Sequence, residues 1–315
     1  MKYLRRQIIE AWMFFVVPGA AVLLPWKFAW RWLRWWSRRD GGPFDEAARA
    51  AVAIAPKHLE IGDEKGFIAR MRLIWLIDYC DLLLSITRWR RSWRPWHVQR
   101  VGNWPQKGPF IAAGFHHGTC YWVFKTLAEA GHDTTVVSVR WQRGDYKGYP
   151  LRYWHGRLRY WDMARLGRRP IAFRPGIKPI LEQTLADGAT IMGLVDLPAR
   201  MVPRGQHPVR MLDLDLSLAE GVLAVARDAG APIVPFWMEF DADLYTRRFC
   251  IGEPLQPDDM GATLQTLADI LDRQIRRVPE AWFFWPELPR WIEDARALRD
   301  SAAQAGQAKG AAPEQ

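Results

Sequence analysis

Two adjacent histidines, His116 and His117, close the apolar run Phe110-Ile-Ala-Ala-Gly-Phe-His-His-Gly-Thr119. The run reads as a buried strand, which puts both imidazoles at its carboxyl end, where α/β sheets carry ligands and chemistry. A hydroxyl that attacks a thioester near neutral pH must lose its proton, and histidine is the side chain best tuned to take it. The spacing therefore points to a general base for acyl transfer. An ordinary polar pair at a strand end would have the same residues. Gly118 and Thr119 follow, at the expected start of a helix from Cys120, where backbone N–H groups and the helix dipole could hold an oxyanion. Cys120 also raises a Cys-His nucleophile, but nothing else of such an enzyme is visible, and a small buried cysteine suits the position.

Elements able to position these residues alternate from His97 onward. Strands are expected over Phe110–Phe115, Thr134–Arg140, Thr190–Val195 and Pro232–Phe240, each an apolar or β-branched run. Helices are expected over Cys120–Ala130, Gly176–Ala186, Leu218–Asp228 and Leu264–Arg277, several closing at a glycine (Gly131, Gly188, Gly230). Such alternation predicts an α/β fold, a mostly parallel sheet flanked by helices. Ahead of it, Phe67–Thr87 reads as a long apolar helix enclosing Asp78 and Asp81. The divisions this implies are 1–40, a membrane-associated helical segment; 41–96, a helical region; 97–295, the α/β domain; and 296–315, a flexible tail.

The chain has 315 residues, a formal net charge of +10 and 19 tryptophans. Its three cysteines form neither a disulfide framework nor a zinc site, which suits a reducing compartment. Basic residues mixed with tryptophan suit nucleic acid or an anionic membrane, and their placement favours the membrane. Residues 1–40 hold eight Lys or Arg against Glu10 and Asp40. The uncharged Ala11–Trp26 stretch is shorter than the ~20 residues needed to cross a bilayer. Lys27, Arg31, Arg34 and Arg38 line one helix face, with Trp26, Trp30 and Leu33 one position ahead, as in an interfacial helix. The alternative is a basic helix that packs its tryptophans on the protein. A second basic-aromatic run, Arg88–Trp96, reads as another membrane or acidic-partner contact, or as a clamp on the core.

The order of signals resembles the lipid A biosynthesis acyltransferases (lauroyl- and myristoyl-transferases), within the wider lysophospholipid and glycerophosphate acyltransferase superfamily. That family reads as a strand followed by His-x-Gly-Asn-Trp-Glu, where this chain has His116-His-Gly-Thr-Cys-Tyr121. It continues with a helix, Leu-x-x-Gly, a strand and Asp-Gln, matched by Leu185-Ala-Asp-Gly188, Thr190–Val195 and Asp196-Leu197. Further matches are Ala226-Arg-Asp-Ala-Gly-Ala-Pro-Ile-Val-Pro235 and Pro279-Glu-Ala-Trp-Phe-Phe-Trp285. Together they cover roughly residues 98–292.

The resemblance implies a glycerophosphate-acyltransferase-like fold and a membrane-associated enzyme needing neither cofactor nor metal. It would move a fatty or polyene acyl chain from an acyl carrier protein or acyl-CoA to a lipid or glycolipid acceptor, at the cytoplasmic face of the inner membrane. His116 falls on the family's base. His117 is an alternative base, as in the unrelated His-His-x-x-x-Asp-Gly enzymes, whose Asp and Gly are here Tyr121 and Trp122. Arg140 falls where the family has a headgroup or phosphate ligand, and the arginines from Arg152 to Arg174 could add an anionic acceptor or carrier contact. The family's acid is replaced by Tyr121. Three readings stay open: Asp196 supplies the carboxylate from another strand; histidine works unaided or with the Tyr121 hydroxyl; or the chain keeps the fold and lipid site without the chemistry, as a non-catalytic partner subunit. Asp213 and Asp215 alternate as on a half-exposed strand and imply no metal. No nucleic-acid recognition motif is present.

Overall fold

The computed structural model describes residues 2–88, 96, 98–139 and 141–310. The strands, in chain order, are β1 (Val98–Val101), β2 (Ile111–Gly114), β3 (Thr134–Ser138), β4 (Ile171–Ala172), β5 (Thr190–Leu194), β6 (Gln206–Met211), β7 (Leu214–Ala219), β8 (Ile233–Phe240) and β9 (Arg247–Ile251). The helices are α1 (Lys2–Ala11), α2 (Val17–Leu23), α3 (Trp26–Ser37), α4 (Asp45–Ile54), α5 (Glu64–Arg88), α6 (Trp122–Glu129), α7 (Pro150–Leu166), α8 (Lys178–Ala186), α9 (Gly221–Ala229), α10 (Met260–Arg277) and α11 (Leu288–Gly310). A π-helical turn, Trp12–Val16, joins α1 to α2. The stretch expected as a tail from 296 continues α11 as far as Gly310.

Seven strands form one sheet in the order β1-β9-β8-β2-β5-β3-β4, and β6 pairs with β7 as a separate antiparallel hairpin. Every pairing in the large sheet is parallel except β8 with β9. The expected α/β class is what the chain adopts. β2 shows why: Phe110 and Ala112 join one apolar cluster while Ile111, Ala113 and Phe115 join another, so both faces of the strand are covered. Periodicity predicted the four apolar strands well, but the Leu218 helix starts later, at Gly221, because Leu218 belongs to β7. The hairpin and α7 carry mixed polar sequences that periodicity did not separate.

The N-terminal segment requires a correction. Trp26 (2% exposed) and Leu33 (0%) do not reach a headgroup layer; they are packed inward, with the Trp26 indole donating to the Tyr245 carbonyl at 2.8 Å. Burial of one helix face against α5 outweighs exposure of those side chains, since each large apolar group so buried stabilises the fold by about 1.5–3 kcal/mol. The outward face instead carries Phe28 and Trp35 beside Lys27, Arg31, Arg34 and Arg38. Tyr3–Leu23 is long and apolar enough to cross a membrane, and 39% of its 18-residue apolar window (mean hydropathy 1.3) is buried in the protein. The Arg88–Trp96 run lies mostly outside the described residues; Trp96 is buried, 4.8 Å from Trp26 between ring centroids.

A buried ion pair ties these parts to the sheet. Arg247 of β9 donates to both oxygens of Asp81 on α5, at 2.6 and 3.1 Å, and to the Thr119 hydroxyl at 2.9 Å. Both charged side chains are fully buried, and the guanidinium also lies 5.5 Å from the Trp26 ring. Removing one partner strands the other charge in a dry interior. Asp81→Leu is therefore expected to cost about 3–5 kcal/mol in chemical denaturation, with Asp81→Leu/Arg247→Met recovering most of it.

Candidate active site

β2 and β5 run parallel with Gly114 opposite Leu194. His116 and Asp196 each lie two residues past those positions, so the strand register delivers both side chains to one spot at the carboxyl edge of the sheet. β2 is flanked by β5 and β8, and the chain leaves β2 toward one side of the sheet and reaches β8 on the other only later. The site thus sits where the strand order switches direction, the crevice that ligands favour in open α/β sheets.

Asp196 is fully buried and accepts three groups. The His116 backbone N–H reaches both its oxygens, at 2.9 and 2.8 Å, His116 Nδ1 lies 2.9 Å from Oδ1, and the Trp282 indole N–H donates to Oδ2 at 3.3 Å. A carboxylate has no proton to give, so Nδ1 carries the hydrogen and Nε2 is the basic nitrogen. The ring is held edge-on to Phe284, 4.6 Å between centroids, and the Phe283 N–H donates to the His116 carbonyl at 3.0 Å. The His116 side chain stays 29% exposed, unlike its partner. His116 and Asp196 thus form a dyad with one accessible nitrogen.

Tyr121 does not take the acid's place. Its hydroxyl donates to Asp162 at 2.7 Å, and Asp162 in turn accepts from Arg165 Nε at 2.9 Å. His117 is corrected as an alternative base: it is 1% exposed, its Nε2 lies 3.2 Å from the Val278 carbonyl, and burial pushes its pKa down to about 4. Gly118 is corrected as an oxyanion donor, because its N–H already donates to the Ala281 carbonyl at 2.8 Å. Thr119 is buried with its hydroxyl engaged by Arg247, and α6 begins at Trp122, so neither residue stands at a helix start. Arg140 lies outside the described residues. Cys120 is half-buried at the cavity wall, and desolvation raises its thiol pKa, the opposite of an activated nucleophile. Asp215 pairs with Arg210 at 3.0 Å and with Arg299, and Asp213 with Arg276 at 2.8 Å; among the described residues no cluster could hold a metal ion.

His116 opens on a cavity of about 600 Å³ between the sheet and the helices α6 and α7. Its walls are mostly carbon, from Val136, Met192 and Leu194 on the strands and Phe124 and Met163 on the helices. Asp78 and Arg159, joined by an ion pair, add charge at one side. Residues that sequence reasoning passed over are Arg159, one of many arginines in its stretch, and Trp282. The signal for Trp282 was its place in the Pro279–Trp285 motif, where an indole N–H suits a buried carboxylate.

Gly118 adopts φ +70°, and a Cβ there would meet the Phe240 ring at 2.5 Å. Gly118→Ala is expected to destabilise the protein by about 1–3 kcal/mol and to disorder the dyad, read as a drop in melting temperature. His117 sets a pH dependence. Its folded pKa is below the unfolded value of 6.5, so the unfolded state binds the proton first as pH falls. Stability is therefore full above the unfolded value and declines as pH drops from 6.5 toward 4, by up to roughly 3 kcal/mol. In denaturant titrations His117→Asn is expected to flatten that decline.

No family model matches the chain, and no curated protein matches it. Among solved structures, it is similar to the 1-acyl-sn-glycerophosphate (LPA) acyltransferase PlsC from Thermotoga maritima, at 13% identity and a TM-score of 0.35, over 89% of this chain and 98% of that chain.

Proposed function

We propose that the chain is a membrane-associated acyltransferase, moving a fatty or polyene acyl chain from an acyl carrier protein or CoA thioester to the hydroxyl or amine of a lipid or glycolipid acceptor, as in lipid A-type acylation. The carrying observation is the His116–Asp196 dyad at the mouth of an apolar cavity. The acyl chain lies in the cavity with its carbonyl near His116. Nε2 removes the acceptor's proton as the acceptor atom bonds to the carbonyl carbon. When the tetrahedral intermediate collapses, the C–S bond breaks and the thiolate leaves with the proton from the imidazolium. Asp196 fixes the tautomer and stabilises the imidazolium between the two transfers. A non-catalytic lipid-binding subunit would need no carboxylate on His116, and the 2.9 Å contact favours the enzyme.

The N-terminal segment would hold the enzyme on the cytoplasmic face of the inner membrane, lying in the interface. A perpendicular span would tear the buried Glu10 from Arg152 (2.8 Å) and Arg6 from the Gly148 carbonyl. The helix keeps an outward stripe, Leu4, Ile8, Trp12 and Val16, spaced every fourth residue, beside the exposed Phe28 and Trp35.

Purified protein offered long-chain acyl carrier proteins and a membrane-lipid extract is expected to form acylated lipid. His116→Ala should abolish product, and Asp196→Asn should lower the rate by ~10²–10⁴ by spoiling the tautomer. Tyr121→Phe should change it only a few-fold, because Tyr121 serves Asp162. No product from the folded wild type across donors, or full activity in His116→Ala, would refute the proposal.

A further inference from the structure

A second cavity, of about 430 Å³, adjoins the apolar one and shares Asp78, Arg159 and Phe283 with it. Phe283 is the residue whose N–H braces the His116 carbonyl, so the partition between the two spaces belongs to the dyad's own support. The second space has a different chemistry. Trp75, Tyr79, Trp141 and Tyr146 form much of its wall, and Trp141 lies nearly flat against Tyr146, 5.1 Å between centroids at 15°.

Its cations are already matched. Arg159 pairs with Asp78, and Arg152 Nε donates at 2.8 Å to Glu10, a carboxylate 1% exposed. An anion drawn to Arg152 would compete with that carboxylate and leave it buried without its partner. His155, 9% exposed in the same wall, has a ring nitrogen, Nε2, with no partner among the described residues. Burial lowers its pKa to about 3, so it is uncharged near neutral pH. The lining is therefore electrically balanced, rich in flat apolar rings, and supplied with a few fixed hydrogen-bonding groups. A phosphate suits none of this. A ring or chain with C–H faces and hydroxyl edges suits all of it, since aromatic faces take the C–H surface and buried polar groups the hydroxyls.

We propose that this cavity binds an uncharged polyhydroxyl headgroup, a sugar or polyol, packed against the aromatic wall that includes Trp141 and Tyr146, with its hydroxyls toward Asp78 and Arg159. Its role as the acceptor's seat rests on the acyl-transfer reading; the class of ligand does not. A headgroup held there can extend a hydroxyl past Phe283 toward His116 while the acyl chain occupies the apolar cavity.

The test is calorimetric titration of the full chain in lipid nanodiscs with hexyl β-glucoside and with hexyl phosphate, both kept monomeric. The glucoside is expected to bind, with Trp141→Ala and Tyr146→Ala each weakening it about tenfold and Trp161→Ala, on the exposed side of α7, leaving binding as in the wild type. Phosphate bound more tightly than glucoside, no glucoside binding, or glucoside binding indifferent to both cavity variants would overturn the proposal. Glucoside binding in a wild type that transfers no acyl group from any donor would uphold the site and refute the acyltransferase reading. The two failures are thus distinguishable.

Discussion

The parallel pairing of β2 with β5 is the constraint on which the site depends. Adjacent strands stand about 4.8 Å apart, so two residues equally far past a matched pair emerge side by side. Gly114 opposite Leu194 makes His116 and Asp196 such residues. Asp196 then does more than orient an imidazole. It accepts the His116 backbone N–H and the Trp282 indole as well, binding the ends of two strands and the segment after α10 into one knot.

Behind that knot lies a second one. Arg247 and Asp81 are buried together, and the guanidinium extends to Thr119, three residues past His116. A charge in a dry interior holds its partners tightly because water offers no alternative. Through this pair the long helix α5, strand β9 and the loop after the histidines share one geometry, with Trp26 of the N-terminal segment against it. The N-terminal segment and the loop after the histidines are therefore parts of one packed core.

The two cavities divide the labour that acyl transfer would need. One is carbon-lined and meets His116; the other is aromatic and electrically balanced, and reaches the first past Phe283 and the Asp78–Arg159 pair. Glu10 and Phe14 bring the N-terminal segment to the wall of the second space. A lipid whose tails stay in the bilayer could in this way present its headgroup without leaving the surface.

Much was legible in residue order alone. Apolar runs such as Phe110–Phe115 and Thr190–Val195 must be strands covered on both faces, because only burial on each side stabilises so continuous an apolar segment. Glycines at 131, 188 and 230 marked helix ends, and a histidine at a strand terminus marked the candidate site. What stayed hidden depends on separations in space. The replacement of the motif acid by Tyr121 left the carboxylate open among three readings, and the β2–β5 register decides its place, 80 residues away in sequence. His117 and Gly118 were plausible by adjacency to His116, yet the pleat and the Val278–Ala281 segment turn them into the core. Trp26 and Leu33 shared a helix face with no sign of which side it would meet. Local sequence sets periodicity, turns and residue chemistry; which face is buried, and which carboxylate meets which imidazole, is decided only when distant segments pack.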